Sequence, residues 1–170
     1  MDLQWQKKLF EEYYGPLLKI AFRYLNTYEQ AAEATHQGFL KIFHELARLR
    51  INQNEKFKAN LWVWIKRVFI ISLVHHVKSE LKLQIQRPIP DDIWKQGDKA
   101  PFDVDLKYVE LIKILKGLPA SYRLAFNLYV IDGFSHAEIA KLFAITKTES
   151  KENLNKARKC LNCAYRKASH

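Results

Sequence analysis

Hydrophobic side chains recur every three or four residues along the first half of the chain, a spacing that predicts amphipathic helices. One stripe covers residues 9–24 and a second covers residues 32–46, with a break at residues 26–27, an Asn-Thr pair suited to cap a helix. Pro16 lies inside the first stripe, so we expect a kink or a restart there. A third helix is predicted from about residue 57 to residue 83.

Part of this third helix is ambiguous by composition. Residues 68–74 are rich in β-branched and aromatic side chains, which also suit a strand. Helical patterns on both sides, and the lack of a second segment that could pair with it, favour a helix.

The second half of the chain has clearer helix boundaries. A Gly-Leu-Pro sequence at residues 117–119 ends one helix and starts the next, which ends at the Asp-Gly of residues 132–133. Capping boxes follow at residues 135–138 and 146–149. They predict a short helix, a tight turn and a longer helix from Lys147 to about Tyr165, which is helix-turn-helix geometry.

Composition fits an all-helical protein. Of 170 residues, 48% are hydrophobic, and only 5 are Gly and 5 Pro, too few turn formers for a β-sandwich or barrel. The 2 cysteines rule out a disulfide-stapled scaffold. No apolar stretch approaches the roughly 20 residues that a membrane span needs, and no signal peptide pattern opens the chain. We therefore expect a cytoplasmic protein without membrane insertion.

Charge divides the chain into three parts. The whole carries +10, of which residues 1–87 contribute +6 and residues 106–170 contribute +7. Residues 88–105 carry −3 and hold three of the five prolines, so they are predicted to form an extended linker between two helical domains. By composition alone this linker is a solvated tether.

The basic charge suggests a nucleic-acid partner, and the helix-turn-helix unit supplies a way to bind one. Its second helix is expected to enter the major groove, where Asn reads adenine and Lys or Arg reads guanine or holds phosphate. The alternative is a basic, solvated C-terminal helix without a DNA target. The candidate DNA-binding residues on this helix are Lys147, Lys151, Asn155, Lys156, Arg158 and Lys159.

Three segments of the second half carry a family pattern. They read LPASYRLAFNLY at residues 118–129, GFSHAEIA at residues 133–140 and NLNKARK at residues 153–159. Together they look like region 4 of bacterial extracytoplasmic-function (ECF) sigma factors. Residues 126–133 resemble the Bacteroidetes branch of that family.

Three segments of the first half resemble region 2 of the same family. They read YYGPLL at residues 13–18, GFLKIF at residues 38–43 and WIKRV at residues 64–68. The two resemblances occur in the order of the family and span residues 9–78 and 108–163. They imply an all-α fold of two helical domains, and a transcription initiation factor that catalyses nothing itself.

The resemblance also implies partners and sites. Region 2 would dock on the β′ coiled coil of core RNA polymerase and trap the melted minus-ten element, and region 4 would sit on the β flap and read the minus-thirty-five element of promoter DNA. The linker would thread the polymerase cleft. The residues implied in the first domain are Glu33, His36, Gln37, Leu40 and Phe43 for polymerase, and Lys66, Arg67 and Lys78 for DNA. Those in the cleft are Asp91, Asp92, Asp98, Asp103 and Asp105.

Several working positions depart from the family pattern. His36–Gln37 replaces an acidic or amide pair at the polymerase contact, which reduces charge complementarity. Ile71 stands where the family tends to have Asn, so a hydrogen bond to a flipped base is lost. Glu149 and Glu152 place acids close to DNA phosphates, although Glu149 has a second role as a capping acid.

From these departures we expect weakened promoter reading and a further component that selects the site. An activator, an anti-sigma system or a DNA-targeting partner would serve, and an RNA-guided, nuclease-dead effector is one candidate of the last kind. The runner-up function is a sigma-derived adaptor or decoy that binds a regulator and not a promoter. A plain helix-turn-helix DNA-binding protein is the third.

No enzymatic or cofactor site is predicted. The sequence lacks a nucleophile-base set, a phosphate loop or paired carboxylates. Cys160 and Cys163 form a single pair, whereas structural zinc needs four ligands. Adjacent His75 and His76 diverge by about 100° on a helix and cannot chelate one ion together. We therefore expect no metal and no cofactor.

Overall fold

A computed structural model describes residues 3–48, 55–84 and 106–168. The chain divides into two compact units, Met1–Arg87 and Pro88–His170, which are described separately. Every regular element within the described ranges is helical, and none is a strand. This confirms the prediction of an all-α fold. The predicted linker, residues 88–105, lies outside the described residues.

Within its described residues, the first unit has three helices: α1 at Leu3–Tyr24, α2 at Tyr28–Arg48 and α3 at Glu55–Gln84. The helix α1 continues through Pro16, so the expected restart is absent, whereas the alternative of a kink stays a prediction. Proline removes one backbone hydrogen bond, but Leu9 before it and Leu17 after it are both buried, and that burial stabilises the helix on both sides of Pro16.

The turn between α1 and α2 confirms the predicted cap. The Gln30 backbone N–H donates to Thr27 Oγ1 at 3.2 Å, and the Thr27 backbone N–H donates to Gln30 Oε1 at 3.3 Å. This is a reciprocal capping box with Gln as the third helical residue. It fixes where α2 begins, and therefore which face of α2 meets α1.

The helix α3 contributes some of the most deeply buried side chains of the first unit. Residues 68–74 are helical, as predicted, and Phe69, Ile70, Leu73 and Val74 are at most 1% exposed. Helix α3 packs against both α1 and α2, so a long run of apolar residues is covered from two sides.

The second unit contains α4 at Leu106–Lys116, α5 at Ala120–Phe126, a π-helical turn at Asn127–Ile131, α6 at His136–Phe143 and α7 at Lys147–Ala168. Helix α7 packs against α4, α5 and α6. The predicted breaks are confirmed: Pro119 precedes α5, and Gly133 adopts the left-handed conformation, with φ of 76°. The π-helical turn was not predicted.

Both predicted capping boxes of the second unit are present. The backbone N–H of Glu138 donates to Ser135 Oγ at 3.3 Å, and that of Glu149 donates to Thr146 Oγ1 at 3.1 Å. Each Glu carboxylate accepts in return from the backbone N–H of its partner, at 2.9 Å and 2.7 Å respectively. The first box begins α6 and the second begins α7, so together they set where both helices of the helix-turn-helix unit start.

No helix in the described ranges is long and apolar enough to cross a membrane.

Candidate nucleic-acid and protein interfaces

Helix α7 is held in the helix-turn-helix unit by one buried side. Leu154 and Ala157 are at most 3% exposed, and Ser150, which the sequence pattern did not single out, is fully buried. Ser150 Oγ lies 3.0 Å from Nδ1 of His136, the first residue of α6. The two helices of the motif are therefore joined by a polar contact as well as by apolar packing.

The opposite side of α7 carries the predicted DNA-binding residues, all of which are exposed. They do not form one patch, because each residue advances about 100° around a helix. The flank with Lys147, Lys151 and Arg158 faces α6, where Lys151 and Arg158 act electrostatically on His136. Asn155 and Lys159 lie at the centre of the exposed side.

The remaining basic residue, Lys156, lies on the other flank of α7. Its Nζ lies 5.9 Å from the centre of the Tyr122 ring of α5, within the range of a cation–π contact. Lys156 is thus partly committed to packing inside the unit. The six predicted residues cover about half the circumference of the helix, so a duplex in contact with one flank leaves the other flank free.

The two acidic residues of α7 have different surroundings. Glu149 accepts hydrogen bonds from the backbone N–H and the hydroxyl of Thr146, and these bonds lower the pKa of its carboxyl. Glu149 therefore has a structural role at the start of the helix. Glu152 is exposed and shares the centre of the outer side with Asn155 and Lys159.

On α2, the predicted polymerase residues share one side of the helix. Glu33, His36, Gln37 and Leu40 are exposed, with Leu40 at 69%, and Phe43 is half-buried. Gln37 Nε2 donates to Glu33 Oε1 at 3.4 Å. This docking face, as we name these five residues, therefore has an apolar centre at Leu40 and a polar edge at Glu33 and Gln37.

The ring of His36 is held against α1 by two aromatic side chains. Its centre lies 5.5 Å from that of Tyr14 and 6.1 Å from that of Phe10, and both pairs are stacked. The imidazole, which belongs to the pair that replaces the family's acidic or amide pair, is thus part of an aromatic cluster that orients this edge of the docking face.

On α3, the predicted DNA residues do not all share a side. Arg67 is exposed and lies on the same side as Lys78 and the half-buried Ile71. Lys66 is half-buried and diverges from Arg67 by about 100°. Arg67 and Lys78 can therefore contact DNA from the same side of α3, whereas Lys66 faces another direction.

The aromatic residues of α3 are mostly structural. Phe69 is fully buried, against the backbone of Gly38, so it offers no surface to a base. Trp62 is half-buried and stacks on Tyr13 of α1, with ring centres 5.4 Å apart. Trp64, also half-buried, lies on the side of α3 that carries Arg67 and Ile71.

Two further sets of residues considered in the sequence analysis are not part of a site that the structure describes. The linker residues Asp91, Asp92, Asp98, Asp103 and Asp105 lie outside the described residues. Cys160 and Cys163 are exposed free thiols on α7. In the described ranges, no three His, Cys, Asp or Glu side chains come together in a way that could hold a metal ion.

Sequence reasoning missed the contacts around His136. Its ring stacks on that of Tyr129 in the π-helical turn, with centres 4.3 Å apart, while Nδ1 meets Ser150. Burial, Lys151 and Arg158 lower the pKa of His136, in that order of size. A histidine at the first position of α6, three residues after the Asp-Gly break, was visible, but nothing local indicates what its ring meets.

Comparison with known proteins identifies both units. Residues 9–76 match the family described as sigma-70 region 2, and residues 108–161 match sigma-70 region 4. The chain belongs to the sigma-70 family of transcription initiation factors. With regions 2 and 4 as its two matched parts it is a sigma factor of the extracytoplasmic-function kind, as the resemblance predicted.

A solved structure shares the fold. The sigma factor RpoE, in a co-crystal structure with the anti-sigma factor NepR from Bartonella quintana, aligns with a TM-score of 0.56 and 16% sequence identity, over 91% of this chain and 92% of that one. At this identity the likeness concerns the fold alone. No curated protein matches the chain.

Family membership decides between the functions considered above. A sigma factor binds core RNA polymerase and promoter DNA, is not an enzyme, and uses its region 4 helix-turn-helix to bind DNA. The match to region 2 does not fit a plain helix-turn-helix protein, and the adaptor or decoy is not favoured. The Bacteroidetes assignment stays a prediction.

Proposed function

We propose that this sigma factor docks on the β′ coiled coil through the docking face of α2, holds promoter DNA mainly by its phosphates, and leaves sequence selection to a further component. Its place of work is the bacterial cytoplasm, where core polymerase acts. Residues 88–105 connect the two units and run through the polymerase cleft. The observation that carries the proposal is the exposed Glu152 at the centre of the outer side of α7.

The docking face has the composition of a protein contact. Leu40 is a large apolar side chain exposed over 69% of its surface, and the half-buried Phe43 lies one turn away. Anchors of this type contribute most of the binding energy when they are desolvated, and the polar rim around them excludes water. Glu33 supplies an acid for a basic partner surface, in place of the acidic or amide pair usual in the family.

Weak recognition of DNA sequence follows from the charge at Glu152 and from the lack of a hydrogen-bonding group at Ile71. The carboxylate of Glu152 is repelled by the phosphates on either side of the major groove. It therefore opposes the contribution that Asn155 and Lys159, beside it, make to DNA binding. On α3, Ile71 offers no hydrogen bond to an unpaired base. The basic residues on both flanks of α7 keep their attraction for the backbone, which carries no sequence information.

A partner that finds DNA would complete this arrangement. An RNA-guided, nuclease-dead effector supplies specificity through base pairing and asks of the sigma factor only backbone contacts. An anti-sigma factor is the other proposed partner, since the RpoE of similar fold was crystallised with one. Co-purification from cells that express the tagged chain distinguishes the two, because only a targeting effector brings guide RNA with it.

The proposal is tested by selection of promoters. The chain and core polymerase are incubated with a random promoter library, and the transcribed sequences are compared with the input. A specific DNA site outcompetes bulk DNA by about 10³ or more, and we expect the enrichment to stay well below that value. Selection of a sharp two-element motif contradicts the proposal and returns the chain to self-sufficient sigma factors.

Variants sharpen this test. Glu152→Gln removes the central carboxylate, and we expect it to raise affinity for duplex DNA several-fold. The matched control is Glu110→Gln, an exposed acid on α4 of the same unit, for which we expect no change. Equal effects of the two variants would mean that only net charge matters, and that the position of Glu152 does not.

A further inference from the structure

The surroundings of His136 make it a candidate contact for an anion. Its Nδ1 is 3.0 Å from the hydroxyl oxygen of Ser150, a fully buried residue. Its ring stacks on that of Tyr129. Two contacts from different elements therefore fix both the position and the plane of the imidazole. Among the described residues Nε2 has no hydrogen-bond partner, so it is the nitrogen left for a ligand.

In the part of the chain that the structure describes, the charges that act on this ring are both positive. Lys151 and Arg158 of α7 are the charged groups that act on it. Tyr129, from the π-helical turn, offers a neutral phenol. On its own helix, the carboxylate of Glu138 accepts from the hydroxyl and the backbone N–H of Ser135. No described carboxylate thus acts on the imidazole, and a proton there is opposed by two cations.

An anion held between Lys151, Arg158 and the imidazole would favour the protonated imidazole, which the two cations alone disfavour. A phosphate adds negative charge beside the ring, which favours the imidazolium, and the imidazolium presents N–H donors on both nitrogens. Nδ1–H then donates to Ser150 Oγ while Nε2–H donates to the phosphate. Duplex DNA carries such phosphates, and a duplex in contact with the flank of α7 that faces α6 would place one beside the ring.

We propose that His136 is a phosphate contact of the helix-turn-helix unit that takes up one proton when duplex DNA binds. The inference rests on the proposed use of α7 to hold the DNA backbone. Its consequence is that DNA binding strengthens as the solution becomes more acidic across the range in which histidine titrates. Ser150 is a positioning residue, because it acts through the ring of His136.

The direction of the pH dependence follows from linkage. Burial and the two cations lower the pKa of His136 in the free protein, and bound phosphate raises it. Affinity is greatest below the free-state pKa and falls as the pH rises to the bound-state pKa. A difference of one pKa unit between the states corresponds to about a tenfold change in affinity.

The first experiment follows the imidazole directly. The pKa of His136 in the full chain is measured by NMR alone, with a short duplex, and with inorganic phosphate at equal phosphate concentration. We expect the pKa to rise by about one unit with the duplex. An unchanged pKa with bound duplex overturns the proposal. A rise of the same size with inorganic phosphate overturns the assignment to the DNA backbone.

The second experiment measures duplex affinity at about pH 6 and about pH 8 at constant ionic strength. The wild type should bind several-fold more tightly at the lower pH, because the full tenfold difference is reached only below the free-state pKa, and His136→Gln should lose this difference. His44→Gln, an exposed histidine of α2, is the matched control and should keep it. Ser150→Ala should weaken the pH dependence, since the ring loses one of its two supports.

The outcomes separate this inference from the proposed function. Duplex binding that is independent of pH, or equally dependent on pH in His136→Gln, overturns the proton linkage and leaves the proposed function standing. Absence of duplex binding at any pH and low salt overturns both. The NMR measurement uses the unmodified chain, so the test does not depend on whether the variants fold.

Discussion

The ring of Phe69 in α3 lies directly on the backbone of Gly38 in α2. A Cβ placed on Gly38 would lie 2.6 Å from Phe69 Cε2, closer than any real side chain contact. Phe69 is fully buried. The absence of a side chain at Gly38 therefore lets the two helices approach, and it fixes the position of the long helix that carries Arg67 and Ile71.

Gly38→Ala should destabilise the first unit. The added methyl forces Phe69 out of its place in a packed core, at a cost of about 1–3 kcal/mol. Urea unfolding followed by tryptophan fluorescence measures it, because Trp62 and Trp64 lie on α3. Gly15→Ala is the matched control: a Cβ there meets nothing within 4 Å, and alanine should stabilise α1 by about 0.5–1 kcal/mol. Equal effects of the two substitutions would contradict the packing argument.

Leu40→Asp combined with Glu33→Lys should abolish co-purification with core polymerase, because the docking face loses its apolar centre and its acid. Circular dichroism should report an unchanged helix content, since both side chains are exposed. Leu3→Asp is the control, at an equally prominent apolar position that is 79% exposed. Retained binding in the double variant would place the docking surface elsewhere.

Replacement of the five linker aspartates by Asn should lower transcript yield more than it lowers polymerase affinity. Negative charge in an extended chain imitates nucleic acid in a basic channel, and Asn removes that charge while the chain length stays the same. Run-off transcription and a polymerase binding isotherm on the same variant give the two quantities. Unchanged yield would mean that the segment is a tether whose charge is incidental.

Ala144→Gly should stabilise the second unit. Ala144 adopts the left-handed conformation at the end of α6, with φ of 55°, which is unfavourable for a residue with a Cβ. Glycine should gain about 1 kcal/mol there, whereas Ala137→Gly inside α6 should lose about 1 kcal/mol. Hydrogen exchange of the α6 and α7 amides measures both. A loss of protection in Ala144→Gly would show that the strain argument is wrong.

Thr146→Ala should destabilise the start of α7 by about 1 kcal/mol, because it removes the hydroxyl that accepts from the Glu149 backbone N–H.

The stabilisation that the Glu149 carboxylate gives to the start of α7 should depend on pH. Hydrogen bonds from Thr146 hold the pKa of Glu149 below its ordinary value of 4.5, so this contribution is complete above that value and is lost as the pH falls through the lowered pKa. Hydrogen exchange between about pH 3 and about pH 6 should report the loss in the wild type and not in Glu149→Gln.

The sequence by itself determined the helical segments, their caps and the family. These features depend on residues within about four positions of one another, such as the Ser135–Glu138 box, or on patterns that continue along one helix. The residues that form these hydrogen bonds, and the periodicity, are close together in the sequence itself, which is why the helix-turn-helix unit could be predicted nearly to its ends.

Only the tertiary structure decided which of the candidate residues work together. The division of α7 into a flank with Lys151 and one with Lys156 depends on where α6 and α5 pack, as does the burial of Phe69 on α2. The contact between His136 and Ser150 joins residues 14 positions apart, on different helices. Such contacts arise when packing buries side chains against distant partners, and a one-dimensional pattern carries no record of which partner that is.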